Sequence, residues 1–177
     1  MSPPLIHPAA VEQVKLLLLD VDGVLTDGKL YYNNDSTTTK AFHVRDGLGI
    51  ALLHQAGIET GIISGRDELS VRRRAEELGI AIVVLGEGRK GRVVERLLRE
   101  RNLQPSQSAY LADDVNDLPA LAKVGVPIAV ADAHPDVLSF VRYVTRSGGG
   151  QGAVREVADA ILGTGRDSFL EQEEVVQ

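Results

Sequence analysis

Short apolar runs alternate with longer amphipathic stretches along most of the chain. The runs are rich in Leu, Ile and Val, as buried parallel strands are, and lie at 16–19, 58–63, 80–85, 109–112, 126–130 and, more weakly, 142–145. Apolar residues recur at helical spacing in the stretches at 46–56, 67–78, 90–101, 116–123, 134–139 and 152–163. This alternation predicts an α/β fold with a doubly wound, Rossmann-like parallel sheet.

One segment breaks the alternation. Residues 29–32 and 37–44 are both strand-like, and they flank the turn-forming sequence Asn33–Asn34–Asp35–Ser36. We therefore expect a β-hairpin over about 29–44 that projects just after the first strand.

Length and composition narrow the classes of protein to consider. The 177 residues are enough for one domain over 1–177, with its core at about 14–163 and a polar, acidic tail at 164–177 that we expect to be mobile. The chain has 19 basic and 25 acidic residues, a net charge of −6, and the scattered basic residues disfavour nucleic acid and anionic membranes as partners.

The remaining composition points to a cytoplasmic protein. The chain has no Cys and therefore no disulfide framework or thiolate metal site, which suits a reducing compartment. The first fourteen residues lack the features of a secretory signal, and no apolar run approaches the roughly 20 residues that span a bilayer.

Reactive side chains follow the predicted strands, at the edge of the sheet where open α/β folds bind their ligands. They are Asp20 and Asp22 after the first strand, Ser64, Gly65 and Arg66 after the second, Lys90 at a helix start, and Asp113, Asp114 and Asp117 after the fourth. An isolated Asp at a strand end most often caps a helix. Five acidic residues at two strand ends instead predict a site for a cation.

Magnesium suits these carboxylates best. Asp20, Asp22 and Asp113 would repel one another unless a cation lay among them, and Mg²⁺ prefers a few protein oxygens together with water and a substrate phosphate. The helix dipole disfavours Lys90 at the start of a helix, so its position indicates a role in holding carboxylate or phosphate oxygens. Ser64 and the N–H groups after it face the same anion.

Four motifs then occur in a recognisable order. DVDGVLTD at 20–27, IISGR at 62–66, Lys90 and LADDVND at 111–117 resemble the four motifs of the haloacid dehalogenase-like phosphohydrolases. Further segments are similar to the 3-deoxy-D-manno-octulosonate 8-phosphate phosphatases within that superfamily: KAFHVRDGLGI at 40–50, GEGRK at 86–90, VPIAVADAHP at 126–135, YVTR at 143–146 and GGGQGAVREV at 149–157. The similarity runs from about Val14 to Leu162.

The resemblance implies a Mg²⁺-dependent hydrolysis of this sugar acid phosphate in lipopolysaccharide precursor synthesis. Asp20 would be the nucleophile that becomes an aspartyl-phosphate, and Asp22 the acid and base. Asp20, the backbone carbonyl of Asp22 and the side chain of Asp113 would bind the metal. Asp114 and Asp117 would orient Asp113, metal-bound water or Lys90.

The resemblance also assigns the substrate contacts. Ser64 and Lys90 would stabilise the transferring phosphoryl group, and Gly65 and Arg66 would contribute to substrate binding. Arg66 is the best placed cation for the substrate carboxylate; Arg45 and Arg74 are equally well explained as surface or ion-pair residues.

Three positions depart from the pattern. Ala112 stands where Gly often precedes the acidic pair, and Gly91 where an aliphatic residue often follows the lysine. Gln151 occupies a place that is often basic, which puts a role for it with the substrate carboxylate in doubt. None of the three removes a reactive group.

The spacing of the motifs leaves no room for a cap domain. The predicted hairpin, helices and strands use all of the chain between the motifs, so a monomer would have an open site. The subfamily resembled is tetrameric with hairpins at its centre, so we expect a homotetramer in which hairpin 29–44 contacts other subunits.

Three alternatives remain. A phosphatase with the same mechanism could act on a nine-carbon sialic-type acid 9-phosphate. A receiver-like phospho-acceptor domain also combines acidic residues, Ser or Thr and Lys, but it has its acidic pair on the first strand and its phosphorylated Asp on the third. A catalytically silent interaction module is disfavoured because both Asp20 and Asp22 are present.

Overall fold

A parallel sheet organises the chain. The computed structural model describes Ile6 and residues 8–163, so the tail predicted at 164–177 lies outside the described residues. The strands are β1 Leu16–Leu19, β2 Tyr31–Tyr32, β3 Thr38–Thr39, β4 Glu59–Ser64, β5 Ile82–Leu85, β6 Ser108–Ala112, β7 Val126–Ala129 and β8 Tyr143–Val144. Six of them form one parallel sheet in the order β5-β4-β1-β6-β7-β8, which confirms the predicted doubly wound fold.

Helices connect these strands. They are α1 Pro8–Val11, α2 Val44–Gln55, α3 Leu69–Glu77, α4 Lys90–Glu100, α5 Leu118–Leu121, α6 Pro135–Phe140 and α7 Ala153–Leu162. Helix α2 contacts α7, and α4 contacts α5. All four leucines of β1 are fully buried, as expected of a central strand covered on both faces. In the part of the chain that is described, no helix is long and apolar enough to cross a membrane.

Two elements differ from the sequence prediction. Helix α1 was not predicted, and the predicted helix 116–123 begins instead as a 3₁₀ turn at Val115–Asp117 before α5. Pro119 has no N–H to donate to the carbonyl of Val115, so a regular α-helix cannot run through this point.

The hairpin is shorter than predicted. Only β2 and β3 pair, through Tyr31 with Thr39 and Tyr32 with Thr38. The expected second strand over 37–44 is wrong at its end, because Val44 begins helix α2. The ring of His43 accepts the N–H of Arg45 and caps this helix, which ends the extended segment.

The strand order places a crevice above β1. The chain runs outward from β1 through β4 to β5, then returns to β6 on the other side of β1. Ligands of open α/β sheets bind where the direction of winding reverses in this way, beyond the carboxyl ends of the strands. Asp20 follows β1 directly and Asp113 follows β6, so both lie at this crevice.

Helix α4 packs unusually closely on the start of α5. A Cβ atom on Gly91 would lie 2.6 Å from the carbonyl oxygen of Pro119, closer than side-chain carbons approach backbone. The departure of Gly91 from the aliphatic residue common in the subfamily therefore has a packing reason. Lys90, the residue before Gly91, begins α4 at this contact.

We expect Gly91→Val to destabilise the protein by about 1–3 kcal/mol, because the added side chain must push α4 away from Pro119. Urea unfolding measures the change. Gly88→Ala is the matched control, since a Cβ at Gly88 meets open space. Equal unfolding free energies for the two variants would contradict the packing argument.

Candidate active site

The predicted reactive residues converge on one cleft at the carboxyl edge of the sheet. The cleft has a volume of about 200 Å³. Its lining contains eight of the nine predicted residues, Asp20, Asp22, Ser64, Gly65, Arg66, Lys90, Asp113 and Asp114, together with Gly28, Leu30 and Asn116. The ninth, Asp117, is fully buried behind the lysine.

Lys90 is the centre of the buried charges. Its ammonium lies 2.8 Å from Asp20 Oδ1 and 2.7 Å from Asp117 Oδ1, and its side chain is only 2% exposed. The hydroxyl of Tyr110 donates to the same Asp117 oxygen at 2.9 Å. Three elements, β1, α4 and the turn before α5, are thus held together by one cation.

The surroundings alter the acidity of these groups. Burial, reinforced by the charge of Asp117, raises the pKa of Asp20 well above its usual value, although Lys90 opposes the shift. Burial alone would lower the pKa of Lys90, but the charges of Asp20 and Asp117 outweigh it and raise the pKa. Lys90 is therefore a permanent cation in the site.

Asp113 completes a cluster of carboxylates suited to a metal ion. One oxygen each from Asp20, Asp113 and Asp117 lie within 4.8 Å of one another. Among the described residues, Asp113 Oδ1 and Asp117 Oδ2 are buried without a hydrogen-bond partner. Burial, then the charges of Asp117 and Asp114, raise the pKa of Asp113 to about 7. A divalent cation fits this set, because it would satisfy the unpartnered oxygens and offset the repulsion.

The contacts distinguish the acidic residues from one another. Asp117 Oδ1 accepts from both Lys90 and Tyr110, which supports the predicted role of orienting the lysine. Asp114 accepts the N–H of Val115 at 2.7 Å and so caps the turn that follows β6. The roles predicted for these two residues stay predictions.

The loop after β1 is shaped around Asp113. A Cβ on Gly23 would lie 2.0 Å from Asp113 Oδ2, and the φ of +89° at this residue is one that side chains disfavour. The hydroxyl of Thr26 donates to the carbonyl of Val21 and accepts the N–H of Gly28, which closes the loop. These contacts explain why the motif needs Gly and Thr at these positions.

Ser64 and Arg66 also line the cleft, at and just after the end of β4. Ser64 ends β4 with 2% exposure, and its hydroxyl oxygen accepts the N–H of Arg66 at 3.1 Å. The Arg66 side chain is 45% exposed and forms a 3.0 Å ion pair with Glu68. Ser64 and Lys90 both line this cleft, so a hydroxyl and an ammonium are available there to an anion.

The sequence analysis missed Lys40. Its ammonium, on a side chain only 1% exposed, is hydrogen-bonded to the carboxylate of Asp22 and lies 3.4 Å from Glu68. Lysines are usually exposed, and nothing in the pattern after the hairpin distinguishes this one. Its place at the start of the conspicuous segment KAFHVRDGLGI is the only signal that pointed to it.

The remaining candidates lie outside the cleft. Arg74 pairs with Glu77 at 2.9 Å and lies over the ring of Phe42, which confirms an ion-pair interpretation. Arg45 and Gln151 line a separate surface pocket.

We expect Mg²⁺ to raise the Tm more at pH 8 than at pH 6. Asp113 has a pKa of about 7 in the folded protein and about 3.9 in the unfolded chain. At pH values between these two, the folded, metal-free protein therefore binds one more proton than the unfolded chain. Its stability then falls as the pH rises through this window. Mg²⁺ requires the deprotonated carboxylate, so it binds more strongly above pH 7.

Thermal unfolding with Mg²⁺ and with a chelator at both pH values measures the effect. Asp113→Asn should remove most of the Mg²⁺-dependent increase at either pH. Equal increases at pH 6 and pH 8 in the unsubstituted protein would contradict the assignment of Asp113.

Comparisons with known proteins agree with this geometry. A family model described as haloacid dehalogenase-like hydrolase matches residues 44–125. The 3-deoxy-D-manno-octulosonate 8-phosphate phosphatase KdsC of Haemophilus influenzae is 45% identical over 152 residues, covering 86% of this chain and 84% of the relative.

Solved structures give the same result. The phosphatase of this name from Yersinia pestis superposes with a TM-score of 0.86 at 44% identity, covering 89% of this chain and 85% of the other. That from Moraxella catarrhalis, in complex with a magnesium ion, a phosphate ion and a KDO molecule, has a TM-score of 0.88 at 39% identity and covers 93% and 96%. The chain is a phosphoric monoester hydrolase that belongs to the haloacid dehalogenase-like hydrolases, in the family of the 3-deoxy-D-manno-octulosonate 8-phosphate phosphatases.

Proposed function

We propose that this chain is a Mg²⁺-dependent phosphatase that hydrolyses 3-deoxy-D-manno-octulosonate 8-phosphate to the free sugar acid and phosphate, in lipopolysaccharide precursor synthesis. One observation supports this reaction above all: Lys90 is buried between Asp20 and Asp117, and Asp113 in the same cluster has a buried oxygen without a hydrogen-bond partner. The substrate follows from relatives about 45% identical over most of the chain. The Moraxella catarrhalis complex supports the metal.

The side chains of Asp20 and Asp113 and the backbone carbonyl of Asp22 would hold Mg²⁺. The metal, when bound, neutralises charge on the phosphate oxygens and on the carboxylates around it. The buried, unpartnered Asp113 Oδ1 supports this assignment.

Asp20 acts as the nucleophile. Lys90 contacts Asp20 Oδ1, which restrains the carboxylate and leaves Oδ2 to attack phosphorus. The new bond from Asp20 to phosphorus forms as the bond to the sugar oxygen breaks, which gives an aspartyl-phosphate. Lys90 and the hydroxyl of Ser64 stabilise the negative charge on the phosphoryl oxygens during this step.

Asp22 transfers the protons. Its side chain is 25% exposed and lines the cleft two residues from the nucleophile. Protonated Asp22 gives its proton to the leaving sugar oxygen, then takes one from the water that attacks the aspartyl-phosphate. This second step releases phosphate and restores both Asp20 and Asp22.

Arg66 binds the far end of the substrate. Its side chain lines the cleft and is 45% exposed, whereas Lys90, the other cation of the lining, is 2% exposed. A sugar acid carries a carboxylate at the end opposite the phosphate, and a guanidinium is the side chain best shaped to bind it.

We further propose that the chain forms a homotetramer through its hairpin, and that residues 1–177 make one phosphatase domain that acts in the cytoplasm. Leu30, Tyr31 and Tyr32 on the hairpin and Leu69 on α3 are exposed apolar side chains, and exposed apolar clusters mark interfaces. A second copy covering this surface would also shield the open cleft, since Leu30 lines it.

Sedimentation velocity at assay concentrations tests the assembly. We expect a tetramer for the unsubstituted chain and a smaller species for Tyr32→Glu, because a carboxylate at this apolar contact is costly to bury. A fully active monomer would contradict the proposal.

Of two alternative functions, one is excluded and the other is left to experiment. Membership in the hydrolase family rules out the receiver-like domain. A nine-carbon sialic-type acid 9-phosphate presents the same phosphate and carboxylate, and its use depends on the length of the sugar that fits between Asp20 and Arg66.

Phosphate release from a substrate panel tests the function. The panel holds 3-deoxy-D-manno-octulosonate 8-phosphate, a sialic-type acid 9-phosphate, hexose phosphates and an aryl phosphate, with Mg²⁺ or with chelator. We expect the highest kcat/KM for the eight-carbon acid, and loss of at least about 10³-fold in kcat for Asp20→Asn, because the amide is a poor nucleophile. Preference for the nine-carbon acid would keep the mechanism and change the substrate, whereas no Mg²⁺-dependent turnover would refute the function.

A further inference from the structure

Glu68 lies at the junction of the hairpin and the cleft, where three donor groups surround its carboxylate. Its Oε2 accepts from the hydroxyl of Thr38 at 3.0 Å, and its Oε1 lies 3.0 Å from Arg66 Nε and 3.4 Å from Lys40 Nζ. The Glu68 side chain is only 11% exposed. A carboxylate this buried and this well bonded holds its partners in defined positions.

Glu68 also lies at a position where a carboxylate usually caps a helix. It is the residue before the first turn of α3, yet its side chain makes no capping hydrogen bond to that helix. The carboxylate points instead toward the hairpin residue Thr38 and the cleft. Helix capping therefore does not account for an acidic residue at this position.

The buried Lys40 depends on this carboxylate. Its ammonium contacts Asp22 and Glu68, so one desolvated cation is compensated by two anions from different elements. Removing one anion from a buried ion cluster leaves the remaining charges imperfectly paired, and the side chains then move to recover solvation. Without Glu68, Lys40 is expected to leave the position from which it holds Asp22.

Arg66 depends on Glu68 in a second way. The Glu68 carboxylate fixes Nε of the guanidinium, and a hydrogen bond with the Tyr32 side chain raises the pKa of Arg66 from another side. Two residues, Glu68 and Tyr32, thus restrain the guanidinium of Arg66, which lines the cleft.

We propose that Glu68 is a positioning residue, which places Arg66 to bind the substrate carboxylate and, through Lys40, places the Asp22 carboxylate beside the leaving oxygen. This inference rests on the proposed function and adds to it. Glu68 is not among the residues that line the cleft, so it acts through the two cations that it contacts.

Two substrates of different chemistry distinguish the effects of Glu68 on Arg66 and on Asp22. A sugar acid phosphate needs Arg66 for its carboxylate and Asp22 to protonate a poor alkoxide leaving group. A nitrophenyl phosphate has no carboxylate, and its phenolate leaves without protonation. Hydrolysis of the aspartyl-phosphate is common to both substrates and affects kcat, whereas kcat/KM reports only the steps up to departure of the leaving group. Loss of Glu68 should therefore lower kcat/KM for the sugar acid phosphate and change kcat/KM for nitrophenyl phosphate much less.

Steady-state kinetics of Glu68→Ala and Glu68→Gln on both substrates test this. For the sugar acid phosphate we expect about a tenfold rise in KM and about a tenfold fall in kcat with Glu68→Ala, and so about a hundredfold fall in kcat/KM, against a change below about threefold in kcat/KM for nitrophenyl phosphate. Glu68→Gln keeps an oxygen acceptor for Thr38 and Arg66, so its KM should recover more than its kcat. Asp67→Asn is the matched control, since Asp67 pairs with Arg72 at the surface and not with the cleft.

The outcomes separate the two proposals. Equal losses on both substrates would mean that Glu68 has a merely structural role. Kinetics equal to those of Asp67→Asn would mean that it has no role. Either result overturns the positioning role, while the activity of the unsubstituted enzyme still supports the proposed function. The contrast is read on whichever sugar acid phosphate the unsubstituted enzyme hydrolyses fastest. If it hydrolyses none of them, the proposed function and the role of Glu68 both fail.

Discussion

The buried ammonium of Lys90 is the interaction on which the rest of the site depends. It lies within hydrogen-bond distance of both Asp20 and Asp117, at a point where burial would otherwise make two neighbouring carboxylates strongly unfavourable. One cation contacts both carboxylates and so links Asp20, which follows β1, to Asp117 in the turn before α5.

A second cation, Lys40, contacts the proposed proton donor Asp22 as Lys90 contacts the proposed nucleophile Asp20. Each lysine is almost fully buried and each joins a catalytic carboxylate to a second acidic side chain, Asp117 for one and Glu68 for the other. The two reactive carboxylates are thus held by separate ion networks, one within the core and the other at the base of the hairpin. The proposed nucleophile is thus held by groups of the core, and the proposed proton donor by groups beside the hairpin.

The predicted reactive residues converged because they follow parallel strands, whose ends meet at one edge of a sheet. The six strands also lie within a residue or two of their predicted bounds, since continuous aliphatic runs identify buried strands. The predictions failed where a side chain or a proline interrupted the local pattern. His43 ends the hairpin segment by capping α2, and Pro119 turns the predicted helix 116–123 into a 3₁₀ turn followed by α5.

By itself, the sequence determined the fold class, the order of the elements and the reactive residues, because periodicity and motif spacing are local properties of the chain. Only the tertiary structure decided which charges share a partner. Lys40 and Glu68 are 28 residues apart and look like surface residues in sequence, yet their ion pair forms beside Asp22. Such pairing depends on burial and on distances across elements, since a charge is costly only where water is excluded.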